Sequence, residues 1–94
     1  MSNYNITNYS YDKAKKLNLI IKSSKNKNKK LDVYTINNES LNSIGDIRYN
    51  DYSLYLSTYN KQYADERRRL YHIRHQKNIN VINSKQFLSA NLLW

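Results

Sequence analysis

His72 and His75 lie three residues apart in the segment HIRH, a spacing that puts two side chains on one face of a helix and suits metal ligands. Two histidines supply only half of a tetrahedral zinc site, and the chain has no cysteine and no third histidine to complete it. No segment has the spacing of a nucleophile elbow or of a phosphate-binding glycine loop. We therefore predict no metal, no cofactor and no enzymatic activity.

Three consecutive arginines precede the histidines in the segment DERRRLYHIRH. Successive helical residues point about 100° apart, so the three guanidinium groups cannot face one ligand equally. The helix instead carries two stripes, with Arg67, Tyr71 and Arg74 on one and Arg68, His72 and His75 on the other. Either stripe could follow a phosphate backbone, with Tyr71 or a histidine available for stacking. In the alternative, one arginine forms a buried ion pair within the domain and the others are solvated.

The chain as a whole is strongly basic, with a net charge of +9 and an isoelectric point near 9.8. Residues 1–34 carry +6, residues 35–66 carry −3 and residues 67–94 carry +6. Two basic blocks that flank an acidic middle suit nonspecific phosphate contacts, and they also suit docking on an acidic protein. We predict a nucleic-acid interface formed by Lys22, Lys25, Lys27, Lys29, Lys30, Arg67, Arg68, Tyr71, Arg74, His75 and Lys77.

The segment GDIRYNDY contains the only glycine of a chain that has no proline. Gly45 suits a reversal after a strand because glycine tolerates positive φ, and Asp46 can accept backbone N–H groups in the turn. We predict that Arg48 is held between the carboxylates of Asp46 and Asp51. The whole segment is predicted to specify the fold rather than to bind a ligand, with Tyr49 and Tyr52 beginning an aromatic cover.

Three short segments rich in aliphatic and aromatic residues predict strands at residues 16–22, 31–37 and 41–44. The hydrophilic segment SSKNKNKK joins the first two, as in a hairpin. Together they predict a small antiparallel meander of two to three strands, whose apolar face needs a cover.

A long basic helix at residues 61–77 is predicted to supply this cover. It has no glycine or proline, and Tyr63, Leu70 and Ile73 form one apolar stripe with Tyr71 beside it.

A short apolar helix, with Asn83 or Ser84 as its N-cap, leads to the sequence LLW. We predict that Trp94 folds back into the core; in the alternative, this end inserts into a partner. With residues 1–14 as a flexible polar tail, the sequence predicts a single small α+β domain over residues 15–94.

Several of these residues recur in a spaced set: IGDIRYNDY, an arginine-rich helix that contains LYHIRH, and LLW. This set resembles a family of short, basic, uncharacterised proteins encoded by nucleocytoplasmic large DNA viruses, the giant viruses. The matching residues are Gly45, Asp46, Arg48, Tyr49, Asp51, Tyr52, Arg68, Tyr71, Arg74, His75, Leu92, Leu93 and Trp94. The resemblance implies a viral origin, and it carries no established activity.

Two functions stay open on these grounds. The first is a small nucleic-acid-binding accessory protein, made in the host cytoplasm at the virus factory and packaged in the virion. The second is a structural or adaptor protein of the virion that docks on acidic capsid or core proteins. Apolar runs such as LNLII are far shorter than the ~20 residues of a membrane span, and residues 1–16 contain no apolar signal segment, so neither membrane insertion nor secretion is predicted.

Overall fold

A computed structural model describes residues 2–94, which form a three-stranded antiparallel sheet and four helices. The elements follow in the order α1 (Asn8–Lys16), β1 (Leu19–Ser23), β2 (Lys29–Thr35), β3 (Ser40–Asp46), α2 (Tyr52–Thr58), α3 (Lys61–Arg74) and α4 (Lys85–Leu92). This architecture confirms the predicted α+β class and the antiparallel meander. The sequence pattern predicts α3 and α4, but it predicts neither α1 nor α2.

The sheet has the strand order β1-β2-β3, and each strand lies within three residues of its predicted position. Leu31 and Val33 of the central strand are fully buried. Val33 pairs with Ile21 of β1, and Leu31 pairs with Ile44 of β3. Because each buried aliphatic side chain contributes about 1.5 to 3 kcal/mol, these four residues form the centre of a small core.

Asp32 holds the turn between β1 and β2 from the opposite face of the central strand. The hydroxyl groups of Ser24 and Ser43 each donate to its carboxylate at 2.6 Å, and the Lys25 amide donates at 3.0 Å. Burial opposes ionisation of this carboxyl, but the hydrogen bonds outweigh it and the pKa of Asp32 is lowered. The turn that carries the lysines is therefore fixed at its base by a buried charge.

The segment predicted as a flexible tail, residues 1–14, contains the first seven residues of α1, and Met1 lies outside the described residues. Thr7 caps this helix by accepting the Ser10 amide at 3.3 Å. Ser10 and Ala14 are buried, and the Ser10 hydroxyl donates to the carbonyl oxygen of Leu92 at 2.7 Å. The two residues that this helix buries completely have small side chains, so it leaves no apolar stripe in the sequence.

The helices α2 and α3 are separated by Asn60, which caps α3 by accepting the Tyr63 amide at 2.8 Å. α3 begins at the predicted residue and ends three residues earlier than predicted. Its predicted stripe is wrong: Tyr63 and Ile73 are exposed, whereas Ala64 is fully buried and Tyr71 is half-buried. The packed face of α3 is therefore rotated away from the predicted one.

The C-terminal helix α4 begins after Ser84, whose hydroxyl accepts the Phe87 amide at 3.1 Å. Of the two predicted caps, the structure therefore has Ser84. Leu92, Leu93 and Trp94 are all buried, which confirms that this end of the chain folds into the core.

The segment GDIRYNDY forms a corner, but not by the predicted contacts. Gly45 has φ +78° and lies inside β3, one residue before its end. Arg48 is exposed and, among residues 2–94, forms an ion pair only with Asp46, at 2.8 Å. The hydrogen bond from its guanidinium holds the pKa of Asp46 at about 2. Tyr52 joins the aromatic cover as predicted, whereas Tyr49 is 66% exposed and does not.

Asp51 is held by Lys30 rather than by Arg48. The ammonium group of Lys30 lies 2.9 Å from the carboxylate, and both side chains are almost completely buried. The Tyr4 hydroxyl donates to the same carboxylate at 2.6 Å, and Asp51 also caps α2 by accepting the Leu54 amide. Burial and the hydrogen bond to Asp51 raise the pKa of Tyr4. The predicted arginine clasp is thus replaced by a buried lysine–aspartate pair.

Candidate functional site

A cleft of about 600 Å³ lies between α3, α4 and the loop that joins β3 to α2. We call it the α3–α4 cleft. It is lined from α3 and its C-cap by Arg67, Tyr71, Arg74 and His75, from α4 and the chain end by Lys85, Gln86, Ser89, Leu93 and Trp94, and from the remaining chain by Lys30, Gly45, Asp46, Tyr49, Asn50 and Tyr55. Its volume falls within the range of about 300 to 1,000 Å³ that is usual for small-molecule sites.

The walls of this cleft carry positive charge without matching negative charge. Arg67, Arg74 and Lys85 form no ion pair with any residue that the structure describes. Asp46 is the only acidic lining residue, and Arg48 already neutralises it. An anion that enters the cleft would therefore meet cations that the fold has left uncompensated.

Arg67 is the most constrained of these cations. Its guanidinium lies over the ring of Tyr55, 5.4 Å from the centroid. Its Nε atom is the one buried side-chain nitrogen or oxygen within residues 2–94 that has no hydrogen-bond partner. A buried polar group without a hydrogen-bond partner costs free energy. Arg67 also has no carboxylate partner among the described residues, so it places uncompensated charge at the inner wall of the cleft.

Three aromatic rings form a column along the same wall. Tyr71 stacks on Trp94, with centroids 4.5 Å apart and planes 13° apart. It also stacks on His75, at 4.2 Å and 25°. One face of a tyrosine has room for a single ring at such distances, so His75 and Trp94 occupy its opposite faces. The column therefore runs from buried Trp94 through Tyr71 to exposed His75.

The titratable rings of this column are held neutral. Burial raises the pKa of Tyr71, so its hydroxyl stays protonated. Burial and the neighbouring charge of Arg74 lower the pKa of His75 from its ordinary value. Near neutral pH the column is thus uncharged, and the positive charge of the cleft comes from the arginine and lysine side chains beside it.

Five of the predicted interface residues line the cleft, namely Lys30 and four residues of α3 and its C-cap, and the other predicted residues lie outside it. Arg67, Tyr71 and Arg74, which form the first of the two predicted stripes, share the α3–α4 cleft, and His75, which is predicted on the second stripe, lies there with them. Arg68 is engaged within the fold, because it lies 4.2 Å from the ring centroid of Tyr52 and contacts a carboxylate of its own helix. Lys77 is exposed beyond the end of α3 and does not line the cleft.

The lysines of the β1–β2 hairpin also differ in how exposed they are. Lys22, Lys25 and Lys27 are exposed and Lys29 is half-buried. Lys30 is 2% exposed, and its ammonium group is committed to Asp51, so its predicted role as a phosphate contact is withdrawn.

The hairpin turn lies close to the cleft. The amide of Ile47 donates to the carbonyl oxygen of Asn28 at 3.1 Å, which ties the turn to the loop that forms one cleft wall. The exposed lysines of the turn are therefore neighbours of that wall.

Several cleft residues are absent from the sequence-based set. Lys85 contributes to the second basic block, but no local pattern distinguishes it from other surface lysines. Tyr55 and Tyr49 enter through the unpredicted path of the β3–α2 loop and α2. The position of Trp94 could be expected from the sequence. Trp94 is predicted to fold into the core, and a residue in the core lies near the side of α3 that faces it.

A second depression, of about 520 Å³, lies on the other side of α3. Its lining includes Arg69, His72 and Ile73. The guanidinium of Arg69 is already 2.6 Å from the carboxylate of Glu66. This depression therefore offers less uncompensated charge than the α3–α4 cleft.

Comparison of the chain with protein-family models, with curated proteins and with solved structures finds no match. Over residues 2–94, no helix has the length and apolar character needed to cross a membrane. Within the same range, no three His, Asp or Glu side chains are grouped so that they could hold a metal ion. The function must be argued from the cleft itself.

Proposed function

We propose that this protein binds nucleic acid, and that the α3–α4 cleft together with the exposed hairpin lysines contacts the phosphates without reading base sequence. One observation carries the proposal: Arg67, Arg74 and Lys85 converge on one cleft with no carboxylate partner, beside stacked aromatic rings. Cationic grooves with aromatic side chains are how proteins bind nucleic acids independently of sequence.

The distribution of charge over the whole chain supports this proposal. With a net charge of +9, the protein attracts polyanions over distances of about a Debye length, roughly 8 to 10 Å at moderate salt. The exposed lysines of the hairpin turn adjoin the cleft through the β3–α2 loop. A strand held in the cleft could therefore continue toward Lys25 and Lys27, which adds phosphate contacts.

The biological setting that we propose follows the resemblance given above. In it, the protein is a viral accessory factor that acts on nucleic acid in the cytoplasm of the infected cell and enters the virion with the genome. It binds its partner and catalyses no reaction.

Docking on an acidic viral protein is the second candidate function, but the structure limits the surface that could take part in it. Leu92, Leu93 and Trp94 are buried in the domain, so they are not available to insert into a groove of a partner. Only the cationic surface remains for such docking. That surface fits phosphates at least as well, because the cleft also offers aromatic rings, which a carboxylate-rich protein surface would not use.

The salt dependence of binding tests the proposed function. Binding of the full chain to a fluorescent oligonucleotide is measured by anisotropy at several salt concentrations. Each neutralised phosphate of a single strand contributes a slope of about −0.7 in log K against log salt, so three cleft cations predict a slope of about −2 or steeper.

A scrambled peptide of the same composition separates the fold from the charge. We expect the folded protein to bind more tightly than this peptide at every salt concentration, because the cleft places its cations in fixed positions. Equal affinity for the two would mean that net charge alone explains the binding, and the proposal would fail.

A further inference from the structure

The ring column in the α3–α4 cleft has one closed end and one open end. Trp94 closes it inside the domain, where the residue is 8% exposed and the Tyr9 hydroxyl donates to the main-chain oxygen of Trp94 at 2.9 Å. His75 forms the open end, because one face of its ring covers Tyr71 and the residue is exposed. A fourth flat ring could extend the column only at the outer face of His75.

Cations lie beside that open end. Arg74 precedes His75 in the chain, and Lys85 lines the same cleft from the start of α4. Both residues are exposed, and neither is paired within the part of the chain that the structure describes. A ligand with a flat ring and adjacent negative charge matches this arrangement.

We propose that the cleft selects single-stranded nucleic acid: one unpaired base stacks on His75, and its flanking phosphates contact Arg74 and Lys85. This inference rests on the proposed function and names the form of nucleic acid that it takes. In a duplex both faces of each base are covered by neighbouring bases, and only the edges are exposed in the grooves. Stacking on a protein ring therefore requires a base that is unpaired or displaced.

The column is prepared for this role before any ligand arrives. Tyr71 and Trp94 are stacked, with Trp94 buried and Tyr71 half-buried, so their rings lose little further freedom when a base is added. Preorganisation of this kind increases affinity because less entropy is lost on binding. The site is thus a short stack of rings to which one base can be added at His75.

Three oligonucleotides of equal length test the inference on the full chain. They are an oligothymidylate strand, a strand with the same phosphates but abasic sugars, and a duplex. We expect the oligothymidylate to bind about five- to 100-fold more tightly than the abasic strand, since stacking of each base contributes on this scale. We also expect it to bind more tightly than the duplex.

Two histidine variants locate the effect. His75→Ala removes the open end of the column, and we expect it to weaken oligothymidylate binding at least about fivefold while the affinity for the abasic strand stays the same. His72→Ala is the matched control, because that residue lies on the same helix but lines the other depression. We expect it to change neither affinity.

The outcomes are distinguishable. If thymidylate and abasic strands bind equally well, or if the duplex binds best, the stacking inference is overturned, while salt-dependent binding of all three would leave the proposed function intact. If His75→Ala and His72→Ala behave alike, the base does not stack at His75 and the inference fails. If no strand binds above the level of the scrambled peptide, the inference and the proposed function fall together.

Discussion

Lys30 and Asp51 show how individual residues decide where free charge remains. Four acidic residues are taken up by ion pairs: Asp46 with Arg48, Asp51 with Lys30, Asp65 with Lys61 and Arg68, and Glu66 with Arg69. All but the Lys30 pair join residues two to four positions apart. Because these four acids are paired locally or in the core, none of them pairs with Arg67, Arg74 or Lys85 of the α3–α4 cleft.

The buried pair gives a prediction about stability. Asp51→Asn leaves the Lys30 ammonium buried without a counter-charge, and we expect a loss of about 3 to 5 kcal/mol in the free energy of unfolding. Asparagine can still cap α2 through its Oδ1, but its amide nitrogen then replaces the oxygen that accepted from Tyr4 and Lys30, so the loss combines the missing charge with that missing acceptor. Chemical denaturation of the purified variant measures it.

The double variant Lys30→Met/Asp51→Asn is the control for this prediction. Removing both charges takes away the unpaired ammonium, so we expect the double variant to recover most of the lost stability. If Asp51→Asn costs less than about 1 kcal/mol, the pair does not hold the corner as described.

Gly45 gives a second prediction at this scale. A Cβ atom there would lie 2.7 Å from the Cδ1 atom of Leu93 and 3.0 Å from the Cδ atom of Lys30, and φ is +78°. We expect Gly45→Ala to cost about 2 to 4 kcal/mol, because it adds backbone strain to a clash in the core.

Asn38→Ala separates the two causes. Asn38 also has positive φ, at 65°, but it is exposed, so the substitution should cost only about 1 kcal/mol for the backbone conformation. Thermal or chemical unfolding of both variants gives the comparison. Equal losses would show that the contact with Leu93 contributes nothing.

At the scale of elements, the strands and the last helix follow from the sequence because their signals are strong. Val33 and its neighbours alternate in a β-branched segment, and Ser84 precedes an apolar run. α1 leaves no such signal, because the residues that it buries are as small as Ser10 and Ala14. α2 is only seven residues long, and the sequence pattern assigns its cap, Asp51, to an ion pair with Arg48 instead of to a helix N-terminus.

The packed face of α3 differs from prediction for a separate reason. Arg68 lies over the ring of Tyr52, and Arg67 lies over Tyr55, so arginine side chains take positions that an apolar stripe would normally fill. Long arginine stems and cation–π contacts allow this, with about 0.5 to 2 kcal/mol for each contact. Hydropathy treats arginine only as a polar residue, so the pattern points to the wrong face.

Two substitutions in α1 test whether this helix is part of the folded domain. Ala14 is 2% exposed and Tyr11 is 49% exposed, and an aspartate at either position adds the same charge. We expect Ala14→Asp to cost about 3 kcal/mol or more, because it buries a carboxylate without a partner.

Tyr11→Asp should stay within about 1 kcal/mol of the wild type, since its site is half open to solvent. Chemical denaturation compares both variants. If the two aspartates are tolerated equally well, the segment does not pack as the structure shows.

At the scale of the whole molecule, the α3–α4 cleft could be predicted only in part. The stripe of Arg67, Tyr71 and Arg74 follows from helical spacing alone. Its meeting with Lys85, Tyr49 and Trp94 does not, because these residues come from segments whose relative placement is set by tertiary packing. The net charge of +9 indicates the type of partner, whereas the fold determines where the uncompensated part of that charge lies.

We expect the position of the cleft cations, and not only their number, to determine the affinity for nucleic acid. Two variants with equal net charge test this expectation. Arg74→Gln/Lys85→Gln removes two exposed cations of the cleft, and Lys15→Gln/Lys16→Gln removes two exposed cations of α1. Each lowers the net charge of +9 by two.

The measurement is the affinity of both double variants for one single-stranded oligonucleotide at fixed salt. We predict a loss of about tenfold or more for the cleft variant, because charge-assisted contacts to phosphate are removed, and of no more than about twofold for the α1 variant. Equal losses in the two variants would show that binding depends on total charge and not on the α3–α4 cleft.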